Sequence, residues 1–340
     1  MLSTNRIKKS LKNAALSALR KSGVHRVVSR LNRRDSKLLI LCYHVIALRD
    51  EHEWLGGLYI SLERFRQRLE ILRACHANVM TLDEGLACLK TDSLPPRSVV
   101  ITFDDGFYDF YRHAMPTLQA FGYASTLYVS TYYSQFRLPI FNLIINYLLW
   151  KSRNSEMDFP LIELGKCMPT RNERERAQVV QAIVHWADSR KMTTLDKNHF
   201  ASELATRFHL DYDELVRSRI LQIMSPDEIA AATKAGVQVE LHTHRHRTPR
   251  DRDLFNREIC DNRARILEYT GRNPVHFCYP SGDYALEFLP WLRDLNVKSA
   301  TTCELGLAKR QSDPLLLPRV LDATDIDDVD FESWLLGIRT

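Results

Sequence analysis

Strands alternating with helices at both ends of the chain predict an α/β protein built on a parallel sheet or barrel. Two observations carry this reading. The run Lys37–Ile46 is apolar almost without interruption, as suits a strand buried on both faces. The strand signal Val99–Phe103 is separated from it by two helical patterns rather than a hairpin turn, and parallel strands need such crossovers.

The elements follow in order. After the first strand, Leu62, Phe65, Leu69 and Leu72 recur at helical spacing over 61–74, with Ser61 as N-cap and Arg64 rather than Glu three residues on. A second helix is expected over 82–90, then a strand over 98–103, a helix near 109–121 stopping at Gly122, and a strand Ala124–Ser130. From 131 to 224 the pattern changes. An apolar stretch, Phe141–Trp150, gives way to charged, helix-forming segments with no strand signal. This reads as a helical insertion overhanging the catalytic face, either a substrate lid or a lateral bundle or oligomer contact. The barrel resumes with a helix capped by Ser225 with Pro226 in its first turn, and the strand Val237–Leu241 then delivers His242.

With 340 residues, 45% of them hydrophobic, the chain can bury a large core. Its net charge of +5 is unevenly placed. Residues 1–34 hold ten Lys or Arg and no acid, which leaves 37 basic against 42 acidic residues in the remainder. Ile7, Leu11, Ala15, Ala18 and Leu19 recur at helical spacing there. Residues 1–36 therefore read as a basic amphipathic segment preceding a barrel over 37–340. No apolar run is long enough for a signal peptide core or a transmembrane span, so a cytoplasmic protein is expected. Through residues 1–34 it can lie on an anionic membrane surface, such as the inner membrane; a helix packed on the barrel or a transit peptide are the other readings. No recognition motif accompanies the charge, and no nucleic-acid partner is expected. Seven cysteines without a Cys-x-x-Cys pair fit reduced thiols.

The chemistry is concentrated in two short segments. Val99-Val100-Ile101-Thr102-Phe103-Asp104-Asp105-Gly106 closes an apolar strand with paired carboxylates, which raise each other's pKa unless a cation or a reaction uses them. One can ligate a metal while the other takes a proton, and Gly106 lets the backbone turn. His242 and His246, in His242-Thr243-His244-Arg245-His246, are four apart and can share one side of a helix or turn. A carboxylate and two imidazoles make the three-ligand set of a hydrolytic zinc centre, which leaves a fourth position open. An Asp-Gly turn and a solvated histidine-rich loop are the alternative. Glu240 shares a strand face with His242, either to orient a ligand or as an ion-paired glutamate.

These two segments resemble the first two motifs of the polysaccharide deacetylases. The resemblance covers roughly residues 38–130 and 225–320, and implies a distorted (β/α) barrel, a divalent metal with zinc first in line, and hydrolysis of an N-acyl group on an amino sugar. By position it makes Asp104 the general base and Asp105, His242 and His246 the metal ligands. The family's third motif is altered here to Phe277-Cys278-Tyr279-Pro280-Ser281-Gly282, with Cys278 in the arginine's place and Ser281 in the tyrosine's. The Ser281 N–H can still serve as oxyanion donor, and Arg319 is the candidate to replace the missing arginine. No histidine follows His276, so the family's C-terminal Leu-x-His is absent. Leu41-Cys42-Tyr43-His44 supplies a similar element at the front, as in the biofilm-polysaccharide deacetylase branch, and makes His44 the general acid. The expected partner is an N-acetylated glycan or a lipid-linked sugar. Deformylation or amidase chemistry on another small or lipid-linked amide, and a catalytically degenerate carbohydrate-binding barrel, are the rival readings.

Overall fold

The apolar runs become the staves of a closed barrel in the computed structural model, which describes residues 36–153, 159–161 and 166–338. In chain order the seven strands are β1 (Lys37–Tyr43), β2 (Ser98–Phe103), β3 (Thr126–Val129), β4 (Gln238–Leu241), β5 (His276–Cys278), β6 (Ser299–Leu305) and β7 (Leu317–Leu321). Each pairs in parallel with the next, and β1 closes the ring between β2 and β7. Their C-terminal ends therefore share one mouth. Two short strands missed in the sequence lie beside the ring: Asn78–Met80 along β2, and Ala308–Lys309 antiparallel to β1. At three and two residues, neither is long enough to display a period of two.

The two-residue repeat assigns each stave an inside and an outside. Leu39, Leu41 and Tyr43 of β1, with Val99, Ile101 and Phe103 of β2, join the outer core beneath the surrounding helices. Leu38, Ile40 and Val100 belong to a separate inner cluster with Leu317. Helix α1 (Leu62–Ala74) gives Phe65, Leu69 and Leu72 to the outer core, and Ser61 Oγ caps it by accepting from Arg64 N–H. Helix α2 (Leu82–Thr91) instead adds Leu82 and Leu89 to the inner cluster, closing the floor of the barrel. The next expected helix starts as a π-turn over Phe110–Ala114 and becomes regular as α3 (Met115–Phe121), ending at left-handed Gly122.

Residues 131–224 run between β3 and β4. They contribute α4 (Phe141–Lys151), α5 (Glu173–Ser189), α6 (Thr194–Arg207) and α7 (Tyr212–Arg217). Ile145, Leu148, Ile183 and Leu204 of these helices form a second core, which reaches Val45, Tyr59 and Phe107 at the barrel mouth. The expectation of no strand here is corrected: Phe159–Leu161 and Lys166–Met168 pair as an antiparallel ribbon, again of three-residue strands too short to show a pattern. Helix α8 (Pro226–Lys234) begins with a full capping box, Ser225 with Glu228. The basic stretch at 1–34 lies outside the described residues. Among the described residues no helix is long and apolar enough to cross a membrane.

Gly106 is required by both backbone and space. Its φ is +86°, and a Cβ there would lie 2.9 Å from Val129 Cγ1. Gly106→Ala is expected to cost about 1–3 kcal/mol, seen as a lower urea midpoint. Gly122→Ala, where a Cβ would meet nothing within 4 Å, should lose less.

Candidate active site

Parallel strands bring residues from distant parts of the chain to one mouth. His44 follows β1, Asp104 and Asp105 follow β2, His242 follows β4, Ser281 lies just beyond β5, and Arg319 sits within β7. The adjacent carboxylates part company at once. Asp104 stays on the inward series of β2 and is 2% exposed, whereas Asp105 adopts φ +70° and turns to the rim. Their mutual repulsion is thereby answered by two different sets of neighbours.

At the rim, Asp105 Oδ1 lies 3.1 Å from His242 Nε2 and 3.0 Å from His246 Nε2. His242 Nδ1 is 2.8 Å from the Cys278 carbonyl oxygen, which can only accept, so Nδ1 carries the proton. In the neutral ring Nε2 then presents a lone pair to a carboxylate, acceptor against acceptor. A cation between them converts that conflict into coordination, and the three donor atoms lie within 4.8 Å of one another. The donor set fits a divalent metal. Burial alone would raise Asp105, but the His246 and His242 imidazoles hold it well below the usual carboxylate range. Burial opposes protonation of His246, and Asp105 outweighs it and raises the imidazole's pKa.

The loop carrying the histidines is not helical. Thr243 and His246 both have positive φ, at 60° and 54°, so the four-residue spacing works through a strained turn. That turn is held from behind by α9 (Arg252–Thr270). Asn262 Oδ1 accepts the His242 N–H at 2.9 Å while its amide donates to Val129 O and Thr131 Oγ1, both at 2.9 Å. Ser130 Oγ donates to His242 O, and Thr131 Oγ1 meets His244 Nδ1 at 2.9 Å, so the middle histidine packs inward rather than joining the donor set. Buried Glu258 accepts from the Arg245 N–H at 2.8 Å and from Arg247 Nε at 2.8 Å. Neither Asn262 nor Glu258 was singled out in the sequence, since a polar residue on an amphipathic helix looks the same whether or not a loop lands on it.

Inside the mouth, Arg319 grips Asp104 with two parallel bonds of 2.7 Å, Nη1 to Oδ1 and Nη2 to Oδ2. Arg319 is itself 2% exposed and anchored by Thr302 O at 3.0 Å and Thr102 Oγ1 at 3.2 Å. Burial pushes Asp104 up and Arg319 outweighs it, holding the carboxyl far below its ordinary value. The thiols of Cys42 and Cys278 face Asp104 Oδ2 at 3.6 and 3.4 Å. Burial raises both thiols well above their usual pKa, so they stay protonated as weak donors and Cys278 is no nucleophile. His44 Nε2 stands 3.7 Å from Asp104 Oδ2, and burial lowers its pKa despite that carboxylate.

Ser281 has φ 56° in a tight turn, and its N–H has no acceptor among the described residues. Glu240 does not reach His242. It accepts from the Val275 and His276 N–H groups at 2.8 and 2.7 Å and so ties β4 to the start of β5. A cavity of about 620 Å³ opens above the cluster; the barrel lines one side, and Tyr133, Ile140, Leu143 and Ile223 from residues 131–224 line the other.

Fold and donor set together define a class of (β/α) barrels that gather a carboxylate and two imidazoles at the strand C-termini, beside a buried Asp–Arg pair. Within that class the chain is similar to the polysaccharide deacetylases, the family its motifs resemble. The family model described as polysaccharide deacetylase matches residues 175–300, which hold both histidines and Ser281 but neither aspartate of the pair. A Bacillus subtilis (strain 168) protein, YxkH, whose name assigns it provisionally to these deacetylases, is 30% identical over 97 residues, 28% of this chain. The match spans only 33% of that relative's length. The solved deacetylase PplD of Streptococcus pyogenes, in complex with acetate, superposes with a TM-score of 0.58 at 18% identity over 88% of this chain and 98% of its own. IcaB of Ammonifex degensii gives 0.56 at 18% over 88% and 97%, and the deacetylase domain of BpsB from Bordetella bronchiseptica gives 0.51 at 14% over 84% and 96%. At these identities the superpositions speak to the fold.

The Asp104–Arg319 pair makes a prediction about stability and pH. In the wild type Asp104 titrates below its unfolded value, so the pair's contribution is complete above about pH 4 and is lost as pH falls through the folded value. Arg319→Met removes the main group that lowers the Asp104 pKa and leaves only the weaker help of His44, His242 and the two thiols against desolvation, so the carboxyl's pKa should rise above the unfolded value. The variant should lose about 3–5 kcal/mol at neutral pH and regain part of it on acidification. Urea melts from pH 4 to 8 check both the loss and its reversed slope.

Proposed function

We propose that the protein is a metal-dependent deacetylase that hydrolyses the N-acetyl amide of an amino sugar in a polysaccharide or its lipid-linked precursor. The observation that carries this reading is the separation of the paired carboxylates, one among imidazoles at the rim and one on a guanidinium inside the barrel. Asp105, His242 and His246 would hold a divalent cation, zinc first among the candidates. Bound there, such an ion supplies a Lewis acid for the acyl oxygen and makes water more acidic.

The remaining roles fall to the chain itself. Asp104 takes a proton from the attacking water, and Arg319 positions its two oxygens. Asp104 is too weak a base to keep that proton, and His44, 3.7 Å away and neutral at rest, is the stronger acceptor. His44 then gives the proton to the departing amine, so one water proton leaves on nitrogen while the other stays on the carboxylic acid, which passes it to the released amine or to solvent to become a carboxylate. The Ser281 N–H donates to the acyl oxygen as charge develops on it. Residues 131–224 act as an insertion that shapes substrate entry, supported by the side chains they place along the cavity. Residues 1–34, with ten basic groups and no acid, would hold the enzyme at the cytoplasmic face of the inner membrane, where lipid-linked precursors are met.

Two measurements test this proposal. Elemental analysis should find about one metal equivalent per chain, following the three-ligand count of a hydrolytic site, and His242→Ala should lose it. Asp104→Asn and His44→Ala should retain the metal yet lose turnover on N-acetylglucosamine oligomers, by at least roughly 100-fold for a missing acid or base. Loss of metal from His44→Ala would instead make that histidine a ligand or a structural residue.

A further inference from the structure

Tyr59 is nearly sealed, at 1% exposure, and every part of it but the hydroxyl is accounted for. It sits in a two-residue strand, Tyr59–Ile60, paired with Val45–Ile46 directly after His44. Its N–H donates to Leu55 O at 2.8 Å, and its carbonyl accepts from Thr324 N–H at 3.0 Å and Thr324 Oγ1 at 2.8 Å. The ring meets Trp54 edge-on at 6.1 Å and belongs to the core formed with Phe107 and the helices of residues 131–224. The hydroxyl has no hydrogen-bond partner among the described residues, yet it is not among the buried orphan groups, because the side chain lines the active-site cavity. A rigidly seated phenol whose free hydroxyl faces a reaction cavity is a ready-made contact for a ligand, since its packing holds the donor in place before the ligand arrives.

We infer that Tyr59 is a substrate-recognition residue, donating a hydrogen bond to a hydroxyl of the sugar that carries the scissile amide. This rests on the deacetylase reading above. Tyr59 enters the cavity from the flank that carries His44, the group assigned to the departing amine, while Ser281 enters beyond β5 and serves the acyl oxygen. The amine side of the bond is the sugar side. A phenol is protonated at neutral pH, and Tyr59 faces the cavity through its hydroxyl, so it acts as a donor rather than a base. Tyr59 thus acts through binding and takes no part in the proton transfers.

The test compares Tyr59→Phe with the wild type on two probes, an N-acetylglucosamine oligomer and an activated aryl acetate that has no sugar. The phenyl ring preserves packing, so metal content and melting temperature serve as controls for folding. Loss of one neutral hydrogen bond should lower kcat/KM on the oligomer by roughly 3- to 10-fold, with the aryl ester unaffected. No change on the oligomer, or an equal loss on both probes, overturns the role of Tyr59 alone. A wild type inert toward both probes overturns the deacetylase reading and the assignment of Tyr59 with it.

Discussion

The bidentate pair of Arg319 with Asp104 is the constraint around which the barrel mouth is organised. It joins the last strand to the second across the first, and both partners are shielded from water. A carboxylate at that depth is tolerated only with a counter-charge, and the guanidinium in turn needs its other N–H groups satisfied, which Thr302 and Thr102 provide. Because the inner carboxylate is neutralised within the barrel, the outer one is free to gather imidazoles. A single left-handed residue, Asp105, separates two groups that would otherwise compete for the same counter-ion.

Some of the chain's local strain falls at the same place, in four of the twelve described non-glycine residues with positive φ. Asp105, Thr243, His246 and Ser281 all have positive φ; Asp105, His246 and Ser281 line the cavity, and buried Thr243 directly follows His242. Such conformations cost about 1–3 kcal/mol each, so the surroundings must determine them. Asn262, Ser130 and Glu258 do this for the histidine loop through bonds to its backbone. The rim donors are therefore placed by a rigid scaffold rather than selected from a mobile loop, the kind of preorganisation that metal and oxyanion chemistry requires.

Much of this was legible in the sequence, for identifiable reasons. The staves β1 and β2 could be read because burial on both faces leaves an apolar run, β4 because Val237, Val239 and Leu241 recur at a period of two, and Ser61 and Ser225 marked helix starts through their capping oxygens. Asp104, Asp105, His242 and His246 stood out because such groups clustered after apolar strands are costly unless used. Arg319 could be nominated only by the lack of an arginine at Cys278; its depth in β7 came from the closure of the ring. Tyr59 and Asn262 left no signal, since each owes its position to a contact with residues distant in sequence. Glu240 could be placed on its strand face but its purpose stayed open in the sequence, because strand parity fixes a direction and not the backbone N–H groups of Val275 and His276 that it meets.

Closure of the ring by its first and last strands has a consequence for how the protein comes into being. A ribosome that has released the chain through β6 has already made the aspartate pair, both histidines and most of the barrel wall, but not β7. Until Leu317–Leu321 zips between β1 and β6, Asp104 has no guanidinium, the inner surfaces of two neighbouring strands stand open, and the mouth cannot assume its final shape. Completion of the mouth thus waits on β7, the last of the seven staves to be synthesised.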